Sequence, residues 1–519
     1  MAFTVSRRRF LAHGGAAALA ASTSLAMPRI SRAASRPEFT HGVQSGDVDT
    51  TSGMAWVRVD RPSRVDFEWA TTESFANARK LHALNALPDS DFAVKRLIED
   101  LPSDQEIFWR AVATDLADAN GVSEPIVGRF RTAPASRRSV RFTWSGDTVG
   151  QGWGIDEDRG GMVGYGTMAK HEPDFFLHSG DTIYADGPLK ESVELEDGSL
   201  WKNIVTPEKS KVAETLTEYR GQWKYNLLDK NVLALNASVP TFYQWDDHEV
   251  VNNWSSTKDL SADERYSVKE IGLLSARGAR AFHEMTPIRF IPQEPGRVYR
   301  KIAYGPMLDI FFLDLRSYRG GNSDNLQPTA SEASAMMGPE QIAWLKRELN
   351  NSKATWKVIA SDMPIGLLVP DGEKWEAVAN GEDGDAKGRE LEFADLLRFI
   401  KSAGITNTVW LTADVHYTAA HHYSPDRAAF QDFEPFWEFV SGPIHAGTFG
   451  PNALDMTFGP EVRYVKAPEE GQVNLPPSAG LQFFGIVDID GASEELTVRL
   501  MDTADTELWK TTLQPARKA

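Results

Sequence analysis

Residues 175–184 read Phe175-Phe176-Leu177-His178-Ser179-Gly180-Asp181-Thr182-Ile183-Tyr184: a β-prone run, a glycine turn, then an acid and a phenol. A short apolar run that stops in a polar loop is how a buried parallel strand reads, and the side chains past its carboxyl end face a crevice. The pattern recurs four times. Phe142-Thr143-Trp144 leads to Ser145-Gly146-Asp147, and Thr241-Phe242-Tyr243-Gln244-Trp245 leads to Asp246-Asp247-His248-Glu249. Val358-Ile359-Ala360-Ser361 precedes Asp362, and Thr408-Val409-Trp410-Leu411-Thr412 precedes Ala413-Asp414-Val415-His416. The expected arrangement is an α/β sheet whose strand ends gather these acids, Tyr184 and two histidines along one edge. Two carboxylates about 4 Å apart repel by roughly 4 kcal/mol at an effective dielectric near 20, so such a cluster calls for cations. The chain therefore reads as a metal-dependent hydrolase.

Each motif has its own chemistry. Gly180 permits close backbone approach, Asp181 can bridge two metals, and Tyr184 can add a phenolate. Consecutive acids and a histidine after a buried strand, as in Asp246-Asp247-His248-Glu249, are costly to leave unpaired. In an extended chain Asp414 and His416 would share one face and chelate. Asp362 counts only in the company of the others. Arg316 and Arg319 follow a buried strand, where they either clamp phosphate or pair with nearby acids. Arg316 and Asn252 are the substrate-binding candidates. His421-His422 reads as a satisfied polar pair beside the site. The catalytic half holds no Gly-x-Ser-x-Gly elbow, and Glu382-Asp383-Gly384-Asp385 lacks calcium-loop spacing.

Composition narrows the class. Among 519 residues, 55 basic against 73 acidic side chains give a formal charge of −18, which argues against stable nucleic-acid binding. Ser6-Arg7-Arg8-Arg9-Phe10-Leu11 is a twin-arginine pattern, followed by a mildly apolar stretch over 12–26. Ser31 and Ala33 supply small residues for cleavage near 34. The expectation is a protein exported folded by the twin-arginine machinery, periplasmic or secreted, with no transmembrane anchor. Zero cysteines exclude both disulfides and thiolate ligands.

Three segments are expected: a signal over 1–34, a small antiparallel β-sandwich over 35–135, and a catalytic α/β domain over 136–519. The sandwich reading rests on alternation such as Val65-Asp66-Phe67-Glu68-Trp69. In the catalytic part, helices are predicted over 164–171, 211–236, 268–284, 338–350 and 389–403. Residues 187–203 and 370–388 read as long loops near the active edge.

Taken in order, Gly180-Asp181…Tyr184, Trp245-Asp246-Asp247-His248-Glu249 and Asp414-Val415-His416 resemble the motifs of the PhoD-like alkaline phosphatases and phosphodiesterases, within the calcineurin-like metallophosphoesterases. The chain is also similar to an exported phospholipase D of that group. The resemblance implies a metallophosphoesterase-type layered β-sheet domain with helices behind a β-sandwich, twin-arginine export, and iron and calcium at the site. Asp181 would bridge the metals, Tyr184 and His416 would bind iron, and Asp247 and Asp414 calcium. His248 would face the substrate as the catalytic residue, and Asp362 aligns loosely with a second-metal ligand. Members often carry cysteine where this chain has Asp147, so manganese or magnesium also enters as a candidate metal. The implied activity is hydrolysis of a phosphate ester, small molecule or phospholipid, by a metal-held hydroxide. The alternatives are a phospholipase D or other diesterase with little monoesterase activity, and an exported metal-stabilised binding protein.

Overall fold

The computed structural model describes residues 36–516; the expected twin-arginine segment lies outside them. The strand Phe175–Ser179 runs parallel to Val140–Ser145 on one side and to Thr241–Gln244 on the other. Antiparallel strands Phe483–Ile489, Leu496–Asp502 and Glu507–Leu513 complete a six-stranded sheet. A seven-stranded sheet has Leu308–Phe312, Trp356–Ala360, Thr408–Thr412 and Phe436–Val440 in parallel at its centre. Antiparallel Arg300–Ala303 closes one edge, and Thr418–Tyr423 with Pro460–Lys466 the other.

The two sheets stack because their strands are apolar on both faces. Phe175 and Leu177 enter the core between the sheets, while Phe176 points to the helices behind. In the facing sheet Val409 and Leu411 turn inward and Trp410 outward. Side-chain alternation thus gives each unbroken apolar run two buried faces. Val163–Lys170, Leu216–Asn226, Lys230–Asn236 and Ile271–Met285 cover one sheet, and Gly338–Asn351 and Glu390–Ser402 the other. The result is a four-layer α/β/β/α body.

Residues 39–131 form two antiparallel sheets. One pairs Phe39–Gly46, Gly53–Val59 and Ala93–Ile98; the other is centred on Ser63–Ala70, Glu106–Asp115 and Ile126–Arg131. Val57, Phe67, Trp109 and Phe130 meet in the core, as the alternation predicts. The first sheet seats against the helix Ile271–Met285: Trp56 Nε1 donates to the Glu284 carbonyl at 2.8 Å, and Gln44 Nε2 to that of Met285 at 3.0 Å.

Two expectations are corrected. The five motif-bearing strands do not share one sheet edge: three belong to the six-stranded sheet and two to the seven-stranded one. Their ends meet because the sheets are stacked face to face. The helix predicted over 211–236 is two helices. Thr215 and Glu218 form a capping box that starts the first. The Asp229 carboxylate then accepts from the amides of Asn231 at 2.8 Å and Val232 at 3.1 Å, which caps the second. Each long loop closes a small hairpin, Ser192–Glu194 with Leu200–Lys202 and Pro370–Asp371 with Lys374–Trp375.

Candidate metal centre and active site

Hydrogen bonding continues past the strand ends and sets the first motif beside the second. The amide of Thr148 donates to the Asp181 carbonyl at 2.7 Å, and that of Asp147 to Gly180 at 3.3 Å. Asp147, Asp181, Asp414 and His416 all take left-handed backbone angles, with φ of 63°, 49°, 67° and 60°. Each costs a non-glycine residue on the order of 1 kcal/mol and persists only where the surroundings hold it. These angles turn the side chains inward. Asp414 and His416 therefore converge through a tight turn and not through an extended segment, which corrects the sequence reading. Gly180 is at φ +95°, and a Cβ there would lie 2.6 Å from that of Asp246, so the two loops touch through a residue without a side chain.

Ligand atoms of Asp147, Asp181 and His416 lie within 4.8 Å of one another. So do those of Asp181, Asp247 and His248, and those of Asp246, Asp247 and Asp414. His416 Nδ1 donates to the Gly447 carbonyl at 2.5 Å, which leaves the Nε2 lone pair facing the cluster. The Tyr184 phenol stands 2.8 Å from that nitrogen, and Asp147 Oδ1 3.6 Å from it. Both carboxylate oxygens of Asp147, both of Asp362 and Oδ2 of Asp246 are buried with no hydrogen-bond partner. Burial pushes Asp147, Asp181 and Asp414 well above the usual carboxylate range, and neighbouring Asp246 or Asp247 pushes further. Orphaned buried oxygens beside an imidazole and a phenol form a donor set that fits metal ions.

His248 stands at the wall of a cleft of about 660 Å³, with Asp181, Tyr184, Asp247, Asp414 and His416 also lining it. Its amide donates to Asp181 Oδ1 at 3.1 Å, and its Nδ1 lies 2.6 Å from Asp186 Oδ1. Burial lowers the imidazole pKa, but Asp186 and Asp247 outweigh burial and raise it to about 10. Asp186 Oδ2 also accepts from the Asn252 amide at 2.9 Å, which sets Asn252 exposed at the cleft rim. In Asp186→Asn the anion that holds the imidazolium is gone and burial remains, so His248 deprotonates at lower pH. The alkaline limb of the pH–rate profile should move to lower pH; a limb that stays in place would dissociate Asp186 from the proton on His248.

Arg316 is not where a substrate ligand would be. It is fully buried, absent from the cleft lining, and bonded to Asp246 and Glu376. Its guanidinium also lies 3.5 Å from Asp414, 3.8 Å from Asp247 and 3.9 Å from Asp362. A permanent cation beneath five carboxylates removes part of their mutual repulsion, which accounts for its position. Arg319 is buried beside it, donating to Asn322 and to the Glu376 carbonyl, both at 2.6 Å. Asp362 joins this floor and belongs to none of the three ligand-sized groups among the described residues. His421 pairs with Glu438 at 3.3 Å, as a satisfied polar group does.

Sequence reasoning passed over Asp186, Glu249 and Glu376. The Glu249 carboxylate accepts from the amides of Asp181 at 3.2 Å, Thr182 at 2.7 Å and Asp246 at 2.8 Å, tying two motif loops together. Asp186 sits two residues past Tyr184 and Glu249 ends a quoted motif, so both were within sight. Glu376 arrives from the 370–388 loop, where nothing in the sequence marks it.

A family model described as PhoD-like phosphatase matches residues 142–500, and one described as PhoD-like phosphatase, N-terminal domain, matches 22–134. Alkaline phosphatase D of Bacillus subtilis (strain 168) is 28% identical over 443 residues, 79% of this chain and 70% of that protein. A solved structure of PhoD superposes with a TM-score of 0.68 at 23% identity, covering 93% of this chain and 90% of the other. A purple acid phosphatase from yellow lupin (Lupinus luteus) seeds gives 0.53 at 11% identity, covering 92% and 74%. Both structural likenesses speak to fold.

Proposed function

Because the chain belongs to the PhoD-like phosphatase family and is a metal-binding hydrolase of phosphoric esters, we propose that it is an exported phosphodiesterase whose metals are iron and calcium. The observation that carries the site is the meeting of Asp147, Asp181, Asp247, Asp414 and His416, with both oxygens of Asp147 unpartnered, beneath a cleft walled by His248. Asp181 lies within ligand distance of Asp147 and His416 and also of Asp247, which suits a bridging ligand. Asp147, Tyr184 and His416 would complete the iron position, and Asp247 and Asp414 the calcium position. Metal ions there supply Lewis acidity, activation of water and neutralisation of phosphoryl oxygens.

The chain's own groups do the rest. With Nδ1 engaged by Asp186, His248 holds its transferable proton at Nε2 and delivers it to the leaving oxygen. Water adds across the P–O bond: a P–OH forms, the leaving oxygen takes a proton, and a monoester remains. Glu249 and Arg316 keep the loops and their charges in register.

A diester suits the cleft better than a monoester. None of its lining residues is lysine or arginine, and Arg316 is committed to the carboxylates below, so His248, reserved for the leaving oxygen, is the one cationic side chain in the lining and none is left for a second substrate charge. Rates with p-nitrophenyl phosphate and bis(p-nitrophenyl) phosphate test this; a kcat/KM that favours the monoester would reverse the preference.

Tyr184 carries the iron assignment. A phenol gives up its proton, pKa near 10, to a strongly Lewis-acidic metal. Asp147, a carboxylate at a position where members often carry cysteine, draws the site toward manganese, magnesium or calcium. Ferric iron on Tyr184 should give a broad visible absorption band that disappears in Tyr184→Phe. A colourless, fully active enzyme without iron would overturn the assignment and leave the phosphoesterase reading standing.

Export rests on Arg7-Arg8-Arg9-Phe10-Leu11. Among the described residues no helix is long and apolar enough to cross a membrane. Changing Arg7 and Arg8 to lysine should hold the precursor in the cytoplasm; undiminished export of that variant would exclude the twin-arginine route.

A further inference from the structure

A row of rings crosses the cleft. His248 lies against Tyr184 with centroids 4.2 Å apart, Tyr184 is 6.1 Å from His416, and His416 is 5.3 Å from Phe449. His248 thus stands at one end of the row and Phe449 at the other. The cleft lining also includes Val369, Pro370 and Val415, and the segments that carry Phe449 and Val369 form one wall. That wall is held together from both sides. Leu367 bridges Leu454, the Leu368 amide donates to the Ala453 carbonyl at 2.9 Å, and Asn452 Nδ2 donates to the Leu368 carbonyl at 2.7 Å. Beneath it Leu367, Val415, Tyr417, Ala419 and Val440 form a separate apolar cluster, with Val369 and Leu454 packed on top. Val369 and Phe449 remain half-buried, so apolar surface faces the cleft. Covering it with an apolar group of a substrate removes that surface from water, a favourable change.

We infer that Val369, Pro370 and Phe449 form a subsite for an apolar arm of the ester. It takes the arm that stays on phosphorus, because the leaving oxygen must lie near His248 at the far end of the row. The inference rests on the diester reading above, since a monoester has no retained arm. The chemistry recognised is an aryl ring or an alkyl chain carried on a phosphodiester.

The holoenzyme is assayed with diesters that share p-nitrophenolate as leaving group and carry methyl, phenyl or hexyl as the retained arm. kcat/KM should exceed that of the methyl ester by roughly tenfold or more for at least one of the larger arms, the scale on which apolar pockets discriminate. Phenyl above hexyl identifies a ring-binding wall, and hexyl above phenyl an alkyl-binding one. Phe449→Ala and the near-isosteric Val369→Thr should each bring that ratio toward one. The ratio separates a subsite from general damage, because lost metal or lost folded protein lowers all three esters alike. Equal kcat/KM for the three arms, or a ratio that survives both substitutions, would overturn the subsite while leaving the diester reading intact. Turnover of p-nitrophenyl phosphate with none of the diesters accepted would remove both.

Discussion

His248→Ala should lower kcat by roughly 10²- to 10⁴-fold, the usual loss for a missing general acid. Metal content should hold. His248 pairs with Asp186 at 2.6 Å, and its Nε2 is 4.0 Å from the nearest Asp247 oxygen, so the imidazole is committed to a carboxylate outside the proposed ligand set. The loss should shrink for p-nitrophenolate, which departs with little protonation, and be largest for alkyl leaving groups. Rates for a leaving-group series in the wild type and the variant check this. A uniform loss across the series would leave His248 an electrostatic role and remove the acid.

Asp181→Asn should have the larger effect. Its carboxylate lies within ligand distance of Asp147 and His416 and also of Asp247, so one substitution touches both proposed metal positions at once. Several kcal/mol of Lewis-acid stabilisation are at stake, which corresponds to roughly 10³-fold or more in kcat/KM. The metal-free protein should not suffer equally. Burial and the Asp247 charge already disfavour an ionised Asp181, so a neutral amide relieves repulsion. Thermal unfolding should show a smaller rise in Tm on adding metal than the wild type shows. An undiminished metal-induced rise would mean that Asp181 holds no ion.

Much of this was legible in the sequence, for a physical reason. Buried parallel strands need apolar residues on both faces, so Phe175-Phe176-Leu177 and Val409-Trp410-Leu411 stand out as short runs, and the acids behind them mark the site. The split between two sheets was not legible. Runs buried on both faces look alike whether one sheet or two contain them, and only the pairing partners differ. The break at Leu227–Asp229 was hidden because apolar spacing continues across it, and the cap on the Asn231 and Val232 amides is a local hydrogen-bond choice. The turn that converges Asp414 and His416 depends on two left-handed residues that are not glycine, which local preference argues against. Arg316 was ambiguous for a related reason. A guanidinium serves a phosphate and a carboxylate equally well, and only the depth of the five acids around it decides.

The most direct test counts metal ions per chain in the same preparation whose phosphate-ester hydrolysis is measured, before chelation, after it, and after metals are restored. Metal in more than one position, activity lost and regained in step with it, and an Asp181→Asn variant that regains neither are the expected results. Undiminished hydrolysis by protein stripped of all metal would contradict the metal-dependent site built from Asp147, Asp181, Asp247, Asp414 and His416.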